Sequence, residues 1–408
     1  MAKDPPLLES PTPAIRKSAA VHISHVQLRD VLICPRERGV VNYVQENAIV
    51  EHNLLSDRSP QILADLNYSP NTLTSLVIPG TDHTLLAAGG QDAEIHLSLL
   101  TLESDHVWQF NTRLQGPNIS INNSILLTSL SLSESNESSV EPHMAVSNND
   151  CTVKFFDIPV RSRPTSIVQV GSVPFNVPVN HSSISPDGRT LLTVGDSSKV
   201  LLHRLTGGAQ ITASPIAAVT LPATPFPALF SSPALAASFS TAFSADGSKF
   251  AVAAQEGVVA VWDVRSTRPL RVFHTDKGRS GASAWLSDDP AEWSRVGRAR
   301  GPGWSARSVK FGGRPGRELM AFTEHTALVH VVDARTFETE EIVRVPAFPR
   351  HRERTLRARP QPARIPRRPA RAPRPRDTRK RARTHTRTRR ALCARSRTRS
   401  ASRRAEWC

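Results

Sequence analysis

One strand–turn–strand unit recurs along this 408-residue chain, and its repetition limits the fold more than any other feature. The clearest copy, residues 240–264, is STAFSADGSKFAVAAQEGVVAVWDV. Its apolar runs have the length of β-strands and are separated by an Asp-Gly turn and a Gly turn, which predicts three consecutive antiparallel strands. A single unit of this kind cannot bury both of its faces, so the pattern predicts stacked neighbours.

Further copies occur at residues 29–54, 74–100, 124–158, 180–205 and 308–334. The residue in the turn before each third strand is, in order, Asn47, Asp92, Asp150, Asp196, Glu256 and His325. Successive positions in this series are 45, 58, 46, 60 and 69 residues apart. The short intervals fit a propeller blade of about 40–45 residues. The long intervals contain insertions, which we place at 131–142, 207–235 and 276–305. The helical periodicity that an α/β fold requires is not found, so the sequence predicts an all-β propeller with six legible blades.

The basic charge of the chain is confined to its C-terminal part. The net charge is +16, but residues 351–408 hold 22 Lys and Arg against 3 Asp and Glu, and the preceding 350 residues have a net charge of −3. A basic folded face for nucleic acid is therefore not indicated. We expect a flexible N-terminus at 1–20, a propeller at 21–347 and a disordered Arg/Pro-rich tail at 348–408, because the tail has too few apolar residues to form a core.

The tail has two interpretations. Its arginine runs, such as residues 379–383, are typical of segments that bind phosphate backbones or direct nuclear import. Lys380 is, however, the one lysine among those 22 basic residues, and such an arginine bias is also what translation of a GC-rich intron or of a wrong frame produces. In that second case the tail is an artefact of the gene model and replaces an authentic last blade.

Cysteine usage and known motifs argue against a metal site or an enzyme. Cys34, Cys151, Cys393 and Cys408 lie far apart and form no CxxC pair, and the N-terminus has no signal-peptide core. We therefore expect a cytoplasmic or nuclear protein, monomeric and without membrane attachment. No GxSxG, GxxxxGK[ST], GxGxxG or HExxH occurs, so we expect no catalytic residue, cofactor or metal.

Residues 305–345 resemble the hallmark segment of a fungal and plant WD-repeat family of unassigned function. The resemblance rests on ARSVKF at 306–311, FTEH at 322–325 and HVVDAR at 330–335. It implies a WD-repeat propeller, and seven blades are expected in the intact protein. In that family further propeller strands follow this segment, whereas here the arginine-rich tail takes their place.

A second resemblance concerns possible partner-binding residues. Trp262, Asp263 and Arg265 form a WDxR sequence, and Asp333 and Arg335 form a partial copy. WDxR resembles the motif by which WD-repeat receptors dock on the adaptor of cullin-4-type ubiquitin ligases, although ordinary blades also contain it. The insertion at 276–305 supplies three further candidates, Trp285, Trp293 and Trp304, which lie among arginines. Tryptophans in such a setting are common at interface hot spots, but they also anchor loops to their own blade.

Other polar residues of the repeats are predicted to stabilise turns. They lie at the turns or strand ends where blade architecture alone explains them: Asp157, Asp187, Gly188, Asp196, Asp246, Gly247 and His325. Glu324 and His325 form no catalytic acid–base pair in this interpretation, because they stand at a tight turn.

The function that follows is a non-catalytic protein-interaction scaffold, with a ubiquitin-ligase receptor as its specific form. The alternative is a nucleic-acid-associated propeller that binds phosphate backbones through the tail.

Overall fold

The computed structural model describes residues 6–25, 27–28, 30–115, 120–130, 142–207, 210–222, 237–275, 305–325 and 327–345. These residues form 24 strands in six four-stranded antiparallel sheets, each built from four strands that are consecutive in the chain. The fold is therefore an all-β propeller with six blades, as predicted. The chain divides into two units at Pro349, and every described residue belongs to the first, Met1–Pro349.

The first three blades have the following strands: β1 (Leu32–Ile33), β2 (Val40–Gln45), β3 (Ala48–Asn53) and β4 (Gln61–Asp65); β5 (Thr72–Val77), β6 (Thr84–Gly89), β7 (Glu94–Leu100) and β8 (His106–Arg113); β9 (Asn122–Ser129), β10 (Pro142–Asn148), β11 (Thr152–Asp157) and β12 (Val168–Pro174). Blades 4 to 6 have these: β13 (Val179–Ile184), β14 (Thr190–Gly195), β15 (Lys199–Gly207) and β16 (Ile211–Thr220); β17 (Ser238–Phe243), β18 (Lys249–Ala254), β19 (Val258–Asp263) and β20 (Pro269–His274); β21 (Ala306–Arg314), β22 (Arg317–Glu324), β23 (Leu328–Asp333) and β24 (Glu340–Arg344).

Each blade has a fourth strand that the repeat pattern did not reveal. The second and third strands are buried on both faces, as in β6 and β18, and appear in the sequence as apolar runs. The fourth strand lies at the rim, where much of its surface faces solvent. One of these strands, β16, lies inside the predicted 207–235 insertion, so that prediction was wrong for Ile211–Thr220. Much of β16 is exposed and it contains Pro215, and both features hide a strand in the sequence.

The hydrophobic core lies between the blades. Among the described residues, each of the five large apolar clusters lies between two consecutive blades, from the pair 1 and 2 to the pair 5 and 6. The first strands of neighbouring blades contact one another around the centre, as β9, β13, β17 and β21 do in turn. Because the strands are antiparallel, the first-to-second and third-to-fourth turns of every blade lie on one face of the ring. We call it the corner face.

The N-terminal segment runs over this ring before blade 1 begins. Arg317 donates hydrogen bonds to the carbonyl oxygens of residues 6 and 7, and the amide of His22 donates to the carbonyl of Val44 in β2. Lys17 pairs with Asp57 at 3.1 Å. Within the described ranges, no helix is long and apolar enough to cross a membrane.

Candidate interaction surface

Two Asp–Arg corners lie in the adjacent blades 5 and 6, both on the corner face. Asp263 ends β19 and Asp333 ends β23, each just before the turn to the fourth strand. In blade 5 the turn is closed by the amide of Ser266, which donates to the carbonyl of Asp263 at 2.9 Å. The amide of Val264 donates to the carbonyl of Ser248 in the first-to-second turn at 3.0 Å. The backbone of the corner is therefore fixed to its own blade.

The guanidinium of Arg265 is held in one orientation by the Asp263 carboxylate. Arg265 donates through its backbone amide to Oδ1 at 2.9 Å, through Nε to Oδ1 at 2.8 Å and through Nη2 to Oδ2 at 2.6 Å. These hydrogen bonds hold the pKa of Asp263 well below its ordinary value. The Arg265 side chain remains 83% exposed. The corner thus presents an oriented but solvent-accessible cation.

Blade 6 repeats this arrangement with longer contacts. Arg335 donates to Asp333 through Nε at 3.3 Å and through Nη2 at 3.4 Å, and Thr336 adds a bond from its hydroxyl at 3.2 Å. Glu318 lies 3.9 Å from Nε of Arg335. The Arg335 side chain is 56% exposed. Two arginines, each paired with the aspartate two positions earlier, therefore lie on one face in adjacent blades.

The remaining predicted partner-binding residues are not on this surface. Trp262 is fully buried and stacks on Phe250 with ring centroids 5.2 Å apart, so it supports β19 from the core and does not itself present a contact. Trp285, Trp293 and Trp304 lie outside the described residues. Partner binding by Arg265 and Arg335 stays a prediction.

The Asp-Gly turns of blades 4 and 5 have the same hydrogen bonds. Asp187 accepts from the hydroxyl of Ser185 at 2.5 Å and from the amide of Arg189 at 3.1 Å. Asp246 accepts from the hydroxyl of Ser244 at 2.6 Å and from the amide of Ser248 at 3.1 Å. The glycine that follows each aspartate has a φ of +73° or +70°, in the left-handed region that favours glycine.

The other residues assigned to turns or strand ends also have structural partners. Asp196 accepts from the side-chain amide of Asn180 at 2.8 Å. Asp157 ends β11 and pairs with His143 at 2.9 Å. His325 stands in the turn before β23, and its amide donates to the carbonyl of Ser305 at 2.9 Å.

Blade 6 contains a buried ionic cluster that no sequence motif indicated. His330 is fully buried in β23, with Nδ1 at 2.7 Å from Glu340 and Nε2 at 3.0 Å from Glu324. Its ring stacks on Phe322 at 4.3 Å. Burial lowers the pKa of His330, but the hydrogen bonds and charges of the two glutamates outweigh it and leave that pKa raised. Glu324 therefore has His330, across the hairpin, as its partner.

The centre of the ring is polar but closely packed. Asp30 lies 3.9 Å from both His181 of β13 and Lys310 of β21. The Arg307 guanidinium stands 4.7 Å over the ring of Phe239. Asp30, His181, Phe239 and Arg307 line a cavity of about 10 Å³, room for about one water molecule, whereas small-molecule sites measure about 300–1,000 Å³. This cavity is therefore too small to bind a metabolite.

Within the described ranges, no group of three or more His, Cys, Asp or Glu side chains is arranged to hold a metal ion. At the surface, the two Asp–Arg corners present exposed guanidinium groups, which can donate hydrogen bonds.

Comparison with known proteins connects the last blade to an uncharacterised domain. The model of an uncharacterised protein domain, DUF2415, matches residues 305–344, which form blade 6. The predicted hallmark segment is thus confirmed as a domain of unassigned function. An uncharacterised protein of Schizosaccharomyces pombe is 27% identical over 206 residues, which are 48% of this chain and 46% of that protein. The chain thus spans about half the length of this relative. Fold and domain together fit a β-propeller protein of unassigned function.

Proposed function

We propose that this chain is a non-catalytic WD-repeat scaffold that binds a protein partner on its corner face, at blades 5 and 6. The observation that carries this proposal is the pair of Asp–Arg corners in adjacent blades. An arginine whose fork is already oriented loses less side-chain freedom when it binds carboxylates or carbonyl groups. Rigid blades that hold exposed groups at fixed spacing suit such recognition.

The specific form of the proposal is a substrate receptor that docks on the adaptor of a cullin-type ubiquitin ligase, in the cytoplasm or nucleus. WDxR supplies the sequence argument, and the exposure of Arg265 supports it. The burial of Trp262 gives each part of the motif its own role. Tryptophan and aspartate fix the strand end and the arginine, and the arginine contacts the partner.

The test is affinity purification of the full chain with Arg265→Ala, with Arg335→Ala and with both changes. We expect the double variant to lose recovery of the adaptor by roughly 30-fold, which corresponds to one interface hot spot of about 2 kcal/mol. The matched control is Arg113→Ala, an arginine of 54% exposure that pairs with Glu94. Arg113 ends a fourth strand, so it lies on the opposite face.

An unchanged thermal midpoint in all variants shows that the fold is intact. Wild-type recovery of the adaptor by the double variant would refute adaptor docking through the corners. Loss of recovery in Arg113→Ala as well would place the contact elsewhere on the ring.

The second candidate, a nucleic-acid-associated propeller, rests on the 22 basic residues between positions 351 and 408. A segment with this charge binds phosphate backbones through counterion release, with steep salt dependence and little sequence preference.

A further inference from the structure

The two ends of the propeller share no sheet. Each of the six described sheets contains four strands that are consecutive in the chain, so no sheet combines strands from its start and its end. The five large apolar clusters of the described residues fill the interfaces between consecutive blades from 1 to 6. Contacts that join blade 6 to the start of the chain must therefore come from elsewhere.

Two side chains of blade 6 enclose the backbone of the N-terminal segment. The amides of Leu7 and Leu8 donate to the two carboxylate oxygens of Glu341, at 2.6 and 3.2 Å. The Nη2 group of Arg317 donates to the carbonyl oxygens of Pro6 and Leu7, at 2.8 and 3.0 Å. Glu341 is in β24 and Arg317 begins β22. A charged acceptor and a charged donor thus hold one stretch of backbone, which bends at residues 7–9.

We propose that Arg317 and Glu341 form a peptide-binding clamp that recognises a bent segment through its main chain, and that residues 6–8 of the same chain occupy it. All four contacts go to backbone atoms. Pro6 suits the first position, because the clamp takes only its carbonyl and a proline has no N–H to offer. Leu7 supplies both an N–H and a carbonyl, and Leu8 supplies an N–H.

The segment that follows carries this attachment to blade 1 and to the centre. Lys17 pairs with Asp57 of blade 1, and the amide of His22 donates to Val44 of β2 at 2.8 Å. Further on, Arg307 of β21 donates to the carbonyl of Gln27 at 3.4 Å, and Leu73 of β5 donates to the carbonyl of Asp30 at 2.7 Å. Occupation of the clamp therefore ties blade 6 to blade 1.

The experiment measures binding of a fluorescein-labelled peptide with the sequence of residues 4–12, DPPLLESPT, to the full chain by fluorescence anisotropy. In the wild type the tethered segment competes at an effective concentration of about 1 mM, so the free peptide binds weakly. Leu7→Pro removes the N–H that Glu341 accepts and vacates the clamp. We expect this variant to bind the peptide at least tenfold more tightly than the wild type, and Leu7→Pro combined with Glu341→Ala to lose that gain.

Two peptide controls distinguish main-chain from side-chain recognition. A peptide with both leucines replaced by alanine keeps every backbone contact and is expected to bind like the original. A peptide N-methylated at the residue equivalent to Leu7 is expected not to bind. Equal binding by the single and double protein variants would overturn the proposal.

Hydrogen exchange gives a second measurement that does not depend on the affinity of the free peptide. The amides of Leu7 and Leu8 are expected to be protected in the wild type and to exchange faster in Glu341→Ala and Arg317→Ala. Glu338→Ala, an exposed glutamate of the same blade, serves as the control and should leave the exchange unchanged. Equal exchange in the wild type and Glu341→Ala would likewise overturn the proposal.

Discussion

His330 and His96 occupy the same position of the third strand in blades 6 and 2, but their neighbours differ in charge. His330 lies between two glutamates, which raise its pKa against the effect of burial. His96 bonds Asn111 at 2.7 Å and Ser98 at 2.5 Å, and burial lowers its pKa to about 4. The two histidines are therefore expected to affect stability with opposite dependence on pH.

The prediction concerns the free energy of unfolding between pH 5.5 and 8.5. The folded pKa of His330 lies above its unfolded value of about 6.5, so its stabilisation is complete below that pH and is lost as pH rises through the folded pKa. His330→Gln is therefore expected to flatten the decline in stability above pH 6.5. For His96 the folded pKa is lower, so its contribution rises by about 1 kcal/mol between pH 5.5 and pH 7. His96→Gln is expected to remove that rise.

Urea unfolding of the wild type and both variants at each pH measures these differences. Subtracting the pH profile of each variant from that of the wild type removes the contribution of titrating groups that all three proteins share, such as His181. If His330→Gln and His96→Gln shift the pH profile in the same direction, the assignment of a charged and a neutral histidine is wrong.

At the scale of the element, the two Asp-Gly turns differ in what a methyl group on the glycine would meet. A Cβ on Gly247 would lie 3.2 Å from Cδ of Pro186, in the turn of the preceding blade. A Cβ on Gly188 would lie 3.5 Å from Leu130, an ordinary contact distance. Both positions have positive φ, which costs an alanine about 1 kcal/mol or more. Comparing alanine substitutions at the two glycines therefore distinguishes the cost of backbone strain from the cost of crowding between blades.

We expect Gly188→Ala to destabilise the propeller by about 1 kcal/mol and Gly247→Ala by more, since Pro186 must also move. Chemical denaturation of the two variants measures the difference. Asparagine tolerates left-handed backbone better than alanine, so Gly188→Asn should recover part of the loss. Equal losses of stability in the two alanine variants would mean that Pro186 moves aside without a cost in free energy.

At the scale of the whole molecule, the described propeller ends before the basic tail. The last strand, β24, ends at Arg344, and the five interface clusters contain no residue beyond Phe337. A chain that ends at residue 345 is therefore expected to keep the thermal midpoint of the full chain within about 2 °C, because no described apolar contact is removed. Differential scanning calorimetry of both chains tests this expectation.

The same truncation tests the second candidate function. If the tail binds phosphate backbones, the full chain should bind duplex DNA with an affinity that falls steeply with salt, and the truncated chain should not. Equal binding by both chains would assign any nucleic-acid affinity to the propeller itself.

Sequence patterns predicted the middle of each blade better than its rim. The third strands end at Asp157, Asp263 and Asp333 as expected, because strands buried on both faces form apolar runs with clear ends. The sequence predicts a loop where β16 lies, since the exposed residues of this strand and Pro215 break that pattern. At the candidate surface, the sequence indicated Arg265 and Arg335 but did not show that Trp262 is buried away from them.

The first three strands of each blade, the number of legible blades and the turn residues were determined by the sequence alone, because they depend on hydrophobic pattern and on local backbone geometry. The tertiary structure decided which distant groups meet. Glu324, His330 and Glu340 become an ionic cluster only when three strands pair in register, and Leu7 reaches Glu341 across 334 positions of the chain. Such contacts use single charges and backbone atoms, which have no periodicity in a sequence, so only the folded chain reveals them.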